Sequence, residues 1–211
     1  AIIRHGNNPD PLVLIRDTRG GPTEGFSQII IYMKDRVALF AATTAVLEQL
    51  NLNIVNARIS ISEGPYSISS YVVLDEKSQP LGSDPARKDR VRKRLIEELD
   101  DPDDYPEIIH RRTPRQLKHF AFPTEVTFSN DTINQRTVME LVTPDRPGLL
   151  ARIGQVLLEH RVRLTNAKIA TLGERVEDVF FVTDEHGDPI RDPSVCKTLQ
   201  DDLCKLLDET Q

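Results

Sequence analysis

No stretch of this sequence approaches the roughly 18 consecutive apolar residues that a membrane-crossing helix needs. No charged-then-apolar signal segment opens it. Cysteine is nearly absent. Cys196 and Cys204 are the two, eight apart on one expected helix. That is about 12 Å at the usual helical rise, too far to bridge. They read as reduced thiols, and the chain as cytoplasmic with no membrane partner. The five histidines are scattered, and no Cys or His cluster has metal-ligand spacing. There is no Walker loop; Arg19-Gly20-Gly21-Pro22-Thr23-Glu24-Gly25 is glycine-bearing, but it lacks the Lys-Ser or Lys-Thr that would follow and reads as a plain turn. For catalysis the sequence is thin, and no cofactor is expected in this chain.

Positive charge is also in deficit. The net charge is −6, which argues against nucleic acid as the main partner. The one basic run is Arg87-Lys88-Asp89-Arg90-Val91-Arg92-Lys93-Arg94. Glu97, Glu98, Asp100 and Asp101 follow at once, and it has no aromatic stacking partners. It reads as a solvated helix face.

What is present is a duplication. Asp35–Ile59 and Asp145–Ile169 lie 110 residues apart and share nine of 25 positions without a gap. Chance would give roughly one or two, so the chain is an internal repeat. A length of 211 residues then divides into two modules of ordinary small-domain size. The expected boundaries are residues 1–25 as linker and short strand, 26–130 as the first module and 131–211 as the second. The chain begins at Ala1 without a methionine and is expected to be part of something larger.

The first module reads as strand Phe26–Tyr32, helix Val37–Leu50, a hairpin of Asn53–Ile61 and Ser67–Leu74, and a helix opened by Asp84-Pro85. A charged connector, Asp100–Arg115, and an extended segment, Leu117–Ser129, follow; the latter supplies a closing strand. The second module repeats the plan. Thr137–Thr143 is a strand, Gly148–His160 a helix, Val162–Thr171 and Val176–Thr183 a hairpin, and Asp192-Pro193 opens the last helix. The fold class is α+β: two tandem ferredoxin-like βαββαβ modules with antiparallel sheets and helices on one face. The second lacks a closing strand of its own. Leu12–Ile15 or part of Leu117–Ser129 is expected beside Thr137–Thr143, which would interleave the modules.

The chemistry gathers at Thr143-Pro144-Asp145-Arg146-Pro147-Gly148-Leu149-Leu150-Ala151, where a strand runs through an acid and a glycine into a helix. Free N–H groups and the positive end of the helix dipole suit an anionic group there. Asp145 either caps the helix or accepts from a ligand's ammonium.

This loop resembles the signature turn of ACT domains, small regulatory modules that bind amino acids. Glu140-Leu141, Ala167-Lys168-Ile169 and Gly173-Glu174-Arg175-Val176-Glu177-Asp178-Val179-Phe180 narrow the resemblance. So do Pro11-Leu12-Val13-Leu14 with Arg19-Gly20-Gly21, and His119-Phe120 with Thr124-Glu125-Val126-Thr127-Phe128. Together these are similar to the C-terminal region of bifunctional PII uridylyltransferase/uridylyl-removing enzymes. The resemblance implies a regulatory fragment that binds glutamine and sets the balance of uridylyl transfer and removal on PII. It implies catalytic domains upstream in the same polypeptide, a divalent metal used by those domains, and self-association through the modules. Neither the paired-acid nucleotidyltransferase motif nor the His-Asp metal pair of such enzymes occurs here. The implied ligand residues are Thr143, Asp145, Gly148, Leu149, Arg163 and Asn166 in the second module. Asp35, Leu39, Asn53 and Asn56 are their counterparts in the first. Val37-Ala38 replaces the proline and glycine in the first loop, where a Cβ crowds a ligand approaching the backbone. The contrasting reading is an interaction or assembly module that binds no ligand.

Overall fold

The computed structural model describes residues 10–20, 24–35, 39–61, 65–82, 84–100, 122–146, 148–172 and 174–208. The chain forms two compact units, Ala1–Glu107 and Ile108–Gln211. Both are α+β modules of the expected ferredoxin-like kind, each an antiparallel sheet with its helices packed on one face.

In the first unit the strands are β1 (Leu12–Gly20), β2 (Glu24–Lys34), β3 (Leu52–Ile61) and β4 (Tyr66–Asp75), in the order β1-β2-β4-β3. Helix α1 is Leu39–Gln49 and α2 is Pro85–Asp100. Alternate residues of β4 are buried, so Ser67, Ser69, Tyr71, Val73 and Asp75 line the face beneath the helices. In the second unit β5 (Glu125–Asp131), β6 (Arg136–Pro144), β7 (Arg163–Lys168) and β9 (Arg175–Thr183) lie in the order β7-β9-β6-β5, and the short β8 (Thr171–Leu172) also pairs with β9. Helices α3 (Leu149–Glu159) and α4 (Pro193–Asp208) complete it.

The repeat extends to small devices that hold each unit. Asp75 Oδ1 accepts from the amides of Lys77 and Gln79, and Asp184 Oδ1 accepts from those of His186 and Asp188. The hydroxyl of Ser27 accepts from the Leu81 amide, and that of Thr137 from the Ile190 amide. Asp84 and Asp192 cap the first turns of α2 and α4 by accepting from Ala86 and Ser194. A bulge interrupts the register between Ile54 and Asn56 in β3 and between Leu164 and Asn166 in β7.

The edge strands correct the expected plan. Leu12–Gly20 pairs along its whole length with β2, from Leu12 opposite Tyr32 to Gly20 opposite Glu24. Of the expected loop at Arg19–Gly25, Arg19, Gly20, Glu24 and Gly25 are therefore strand, and residues 21–23 lie outside the described residues. Glu125–Asp131, expected with the first module, pairs with β6 instead, Val126 facing Leu141 and Ser129 facing Val138. So a segment of Leu117–Ser129 does lie beside Thr137–Thr143, but it belongs to the second unit by sequence as well. Each sheet is closed by the strand preceding it rather than one following α2 or α4, and the modules are not interleaved through these strands. Leu117–Ala121 and the connector to Arg115 lie outside the described residues.

Each edge strand is also fastened to the last helix of its own unit. Lys88 Nζ reaches Asp17 Oδ2 at 2.7 Å and Arg92 Nε donates to the Val13 carbonyl. In the second unit Gln200 Nε2 donates to the Val126 carbonyl at 2.7 Å, and Asp208 Oδ1 accepts from both the amide and hydroxyl of Thr124. The basic run of α2 is spent on such pairs: Arg87 with Asp75, Arg92 and Lys93 with Asp89, Arg94 with Glu98.

A fragment starting at Phe122 keeps β5 and is expected to fold cooperatively as a soluble species, while one starting at Asn134 leaves the β6 edge unpaired and is expected to aggregate. Thermal unfolding with size-exclusion chromatography checks this. A monomeric, cooperatively folded fragment from Asn134 would show that β5 is dispensable.

Candidate functional site

The loop between β6 and α3 is built from both ends. Residues 137, 139, 141 and 143 of β6 point beneath the helices by strand alternation, and Thr143 is fully buried. Its hydroxyl lies 2.9 Å from that of Thr124 and joins the Thr124–Asp208 contact. The Asp145 amide donates to the Glu174 carbonyl in the β8–β9 turn at 2.9 Å. Asp35 repeats this contact, its amide donating to Pro65 at 2.7 Å. Arg146 Nη1 donates to the Leu207 carbonyl at the end of α4, a position where a cation meets the negative end of the helix dipole.

Gly148 takes φ 79°, ψ 5° immediately before α3. That left-handed conformation is open to glycine and costly for a residue with a Cβ. The N-cap residue is Gly148, which has no side chain to cap with, and the Asp145 carboxyl takes the Arg146 amide, ahead of the helix. The Leu149 amide donates to the Arg146 carbonyl at 3.3 Å, which removes one of the donors expected for a ligand. Leu150 and Ala151 sit in the first turn, where helical geometry provides no partner for their amides. Burial raises the Asp145 carboxyl, with the Arg146 amide partly opposing the shift.

A second acid adjoins this loop. Asp178, on β9 opposite Leu141, is 1% exposed. Its Oδ1 accepts from the Ala170 amide at 3.1 Å, and its Oδ2 has no hydrogen-bond partner. Burial pushes its carboxyl up to about 7; the Ala170 N–H works against this and the negative charge of Asp145 adds to it. In the sequence Asp178 stands within the charged string Glu174–Asp178 and is not among the implied ligand residues. Strand alternation was the available signal, because Val176, Asp178, Phe180 and Val182 fall on one line and that line is the buried one.

Other expected ligand residues are not brought to the loop within their own unit. Lys34 at the loop end of β2 faces Tyr66, whereas Asn53 faces Leu74, eight positions further along β4. At about 3.3 Å per residue, Asn53 stands about 26 Å from the loop. Asn56, opposite Val72, is six positions away from Tyr66. In the second unit Pro144 faces Arg175, whereas Arg163 faces Thr183 and Asn166 faces Phe181. The physical reason is direction: a strand–helix–strand crossover returns parallel to its first strand, so the next strand begins at the far end of the sheet. Arg163 follows instead a cleft of about 490 Å³ lined in part by His160, Arg161, Val162, Asp184 and Asp188.

In the first unit Leu39 is buried at the start of α1 and Asp35 is half-buried. Val37 and Ala38 lie outside the described residues, as does Pro147. Register puts Ser69 of the first unit where the second has Asp178, and Tyr71 where it has Phe180. The hydroxyls of Thr43, Ser67, Ser69 and Tyr71 are all buried without a hydrogen bond of normal geometry, so the two units differ in the chemistry beneath their loops.

Gly148→Ala is expected to cost about 1–2 kcal/mol of stability in the second unit through the left-handed backbone. Urea unfolding measures it, and an unchanged midpoint would mean that the loop relaxes freely.

Residues 137–196 match the ACT domain family. The chain is 52% identical over 99% of its length to the bifunctional uridylyltransferase/uridylyl-removing enzyme of Ectopseudomonas mendocina. It is 51% identical over its whole length to that of Pseudomonas fluorescens and 51% identical over 95% to that of Azotobacter vinelandii. It spans 23% of the length of the first two and 22% of the third. Residues 137–196 are thus an ACT domain, and the chain as a whole belongs with one region of the bifunctional uridylyltransferase/uridylyl-removing enzymes.

Proposed function

We propose that this chain is an amino-acid-sensing regulatory region whose second loop binds glutamine and thereby biases a larger enzyme between uridylyl transfer and uridylyl removal. The observation that carries this reading is the Asp145–Ala151 loop. It holds an acid bonded to the Arg146 amide, a left-handed Gly148 with no Cβ over the backbone, and first-turn amides. A zwitterion has the complementary charges. Its carboxylate suits the Leu150 and Ala151 amides at the positive end of α3, and its ammonium suits Asp145.

In this reading the chain does no chemistry itself. Uridylyl transfer and removal, and the divalent metal they use, belong to catalytic domains elsewhere in a cytoplasmic polypeptide, with PII as substrate. Arg146 gives the signal a physical route, because it ties the loop to the end of α4, while Asp208 ties that same end to Thr124 at the start of the second unit's sheet. Self-association through the modules would offer a further way to transmit occupancy. The contrasting reading is an assembly module without a ligand. It draws on one observation, that the Leu149 amide is already bonded to Arg146.

Calorimetric titration of the chain with glutamine separates the two. Binding is expected, and Asp145→Ala is expected to weaken it by roughly 10- to 100-fold, the worth of a charge-assisted hydrogen bond. Asp35→Ala is expected to have a smaller effect. No heat with wild-type protein at millimolar glutamine would favour the assembly reading, and loss of binding on Asp35→Ala alone would place the site in the first unit.

A further inference from the structure

We infer that Asp178 is the second half of an acid pair that receives the ligand's ammonium group, Asp145 making the outer contact and Asp178 supplying the buried negative charge behind it. This inference rests on the amino-acid reading of the loop and adds to it a residue and a proton.

The acid is out of place for a structural role. Its neighbours on the same buried line, Val176, Phe180 and Val182, are apolar and pack beneath the helices. An apolar residue would fit that line at no electrostatic cost, and the first unit manages with Ser69 at the same register position. A carboxyl that is 1% exposed with one oxygen unpartnered is costly to keep. The Ala170 amide satisfies only Oδ1.

Among the described residues, the ionisable groups on the elements around Asp178 are these. From the loop come Asp145 and Arg146, the latter committed to the Leu207 carbonyl. From α3 comes the buried Arg152, which has contacts of its own, from α4 Asp208 with its bonds to Thr124, and from β7 the exposed Lys168. On β9 itself Arg175 pairs with Glu177 at 2.6 Å. Of these, Asp145 is the charge that acts on Asp178, and its sign is the same. Asp178 lies three positions in from the loop end of the β6–β9 pair, buried and within reach of the Asp145 charge, so a proton stays on the buried carboxyl. A primary ammonium at Asp145 replaces that repulsion with attraction, and the proton leaves Asp178 for solvent. The half-exposed Asp145 admits the ligand first, while the amides of α3 take its carboxylate.

The sign follows directly. With the free carboxyl at about 7, binding below that pH must expel a proton, so affinity rises with pH and levels off above it. The test is titration of the whole chain with glutamine from pH 5.5 to 8, in buffers of differing ionisation heat. The expected result is a rise in affinity of roughly three- to tenfold between pH 6 and 7.5, with up to one proton released per glutamine. Asp178→Asn keeps an acceptor for the Ala170 amide. It is expected to weaken binding about tenfold at pH 7.5 and to abolish the proton release, which also excludes His160 or His186 as its source. A purely structural Asp178 would leave the proton count unmoved. Binding with flat affinity and no proton release, or unchanged release in Asp178→Asn, overturns this inference and leaves the amino-acid reading standing. No binding of glutamine at any pH overturns both.

Discussion

An unpaired sheet edge is the constraint on which each unit depends. In the βαββα core the first strand has a neighbour on one side only, because the hairpin strand pairs with it and the crossover strand lies beyond. The other side must be covered or it becomes a template for aggregation. β1 covers β2 and β5 covers β6 in full antiparallel register. Both covering strands precede their cores, and both are held by the last helix of the same unit, through Lys88 and Arg92 in one and Gln200 and Asp208 in the other. The edge strand therefore also fixes that helix, and in the second unit the end of that helix receives Arg146 from the loop. Edge, helix and loop form one connected set of contacts.

That connection gives the loop its meaning. A loop stitched only to its own strand would report nothing. Here Asp145 is held by the hairpin turn through Glu174, Arg146 by the end of α4, and Thr143 by Thr124. Occupancy by a charged ligand would act on contacts that already reach the hairpin, the last helix and the edge strand. The duplicated unit keeps the backbone half of this arrangement in the Asp35–Pro65 bond but has serine where the second unit has its buried acid. The asymmetry lies in side chains under a shared backbone.

Much of this was legible in the residues. The duplication, the order of core elements, the Asp-Pro helix starts and the glycine at residue 148 all follow from local rules, and local rules held. Three things did not follow. The allegiance of Glu125–Asp131 depends on which edge it reaches, and Pro123 and the alternation of Val126 and Phe128 are equally compatible with either sheet. Asn53 and Arg163 were implied as ligand residues by the resemblance, whereas crossover direction carries them to the opposite end of their own sheets from the loops. Asp178 is not among the implied ligand residues, although its position on the Val176–Val182 line marks it as buried.

The central claim is that an amino acid binds at the junction of the second unit's loop and helix. The most direct measurement is amide chemical-shift mapping of the isotope-labelled chain as glutamine is added. The account predicts shifts concentrated at Asp145, Gly148, Leu150, Ala151, Ala170 and Glu174, with Asp35 and Leu39 changing less. Saturating glutamine that leaves these amides unmoved, or that moves instead the residues of the cleft at His160–Val162 and Asp184–Asp192, would contradict it.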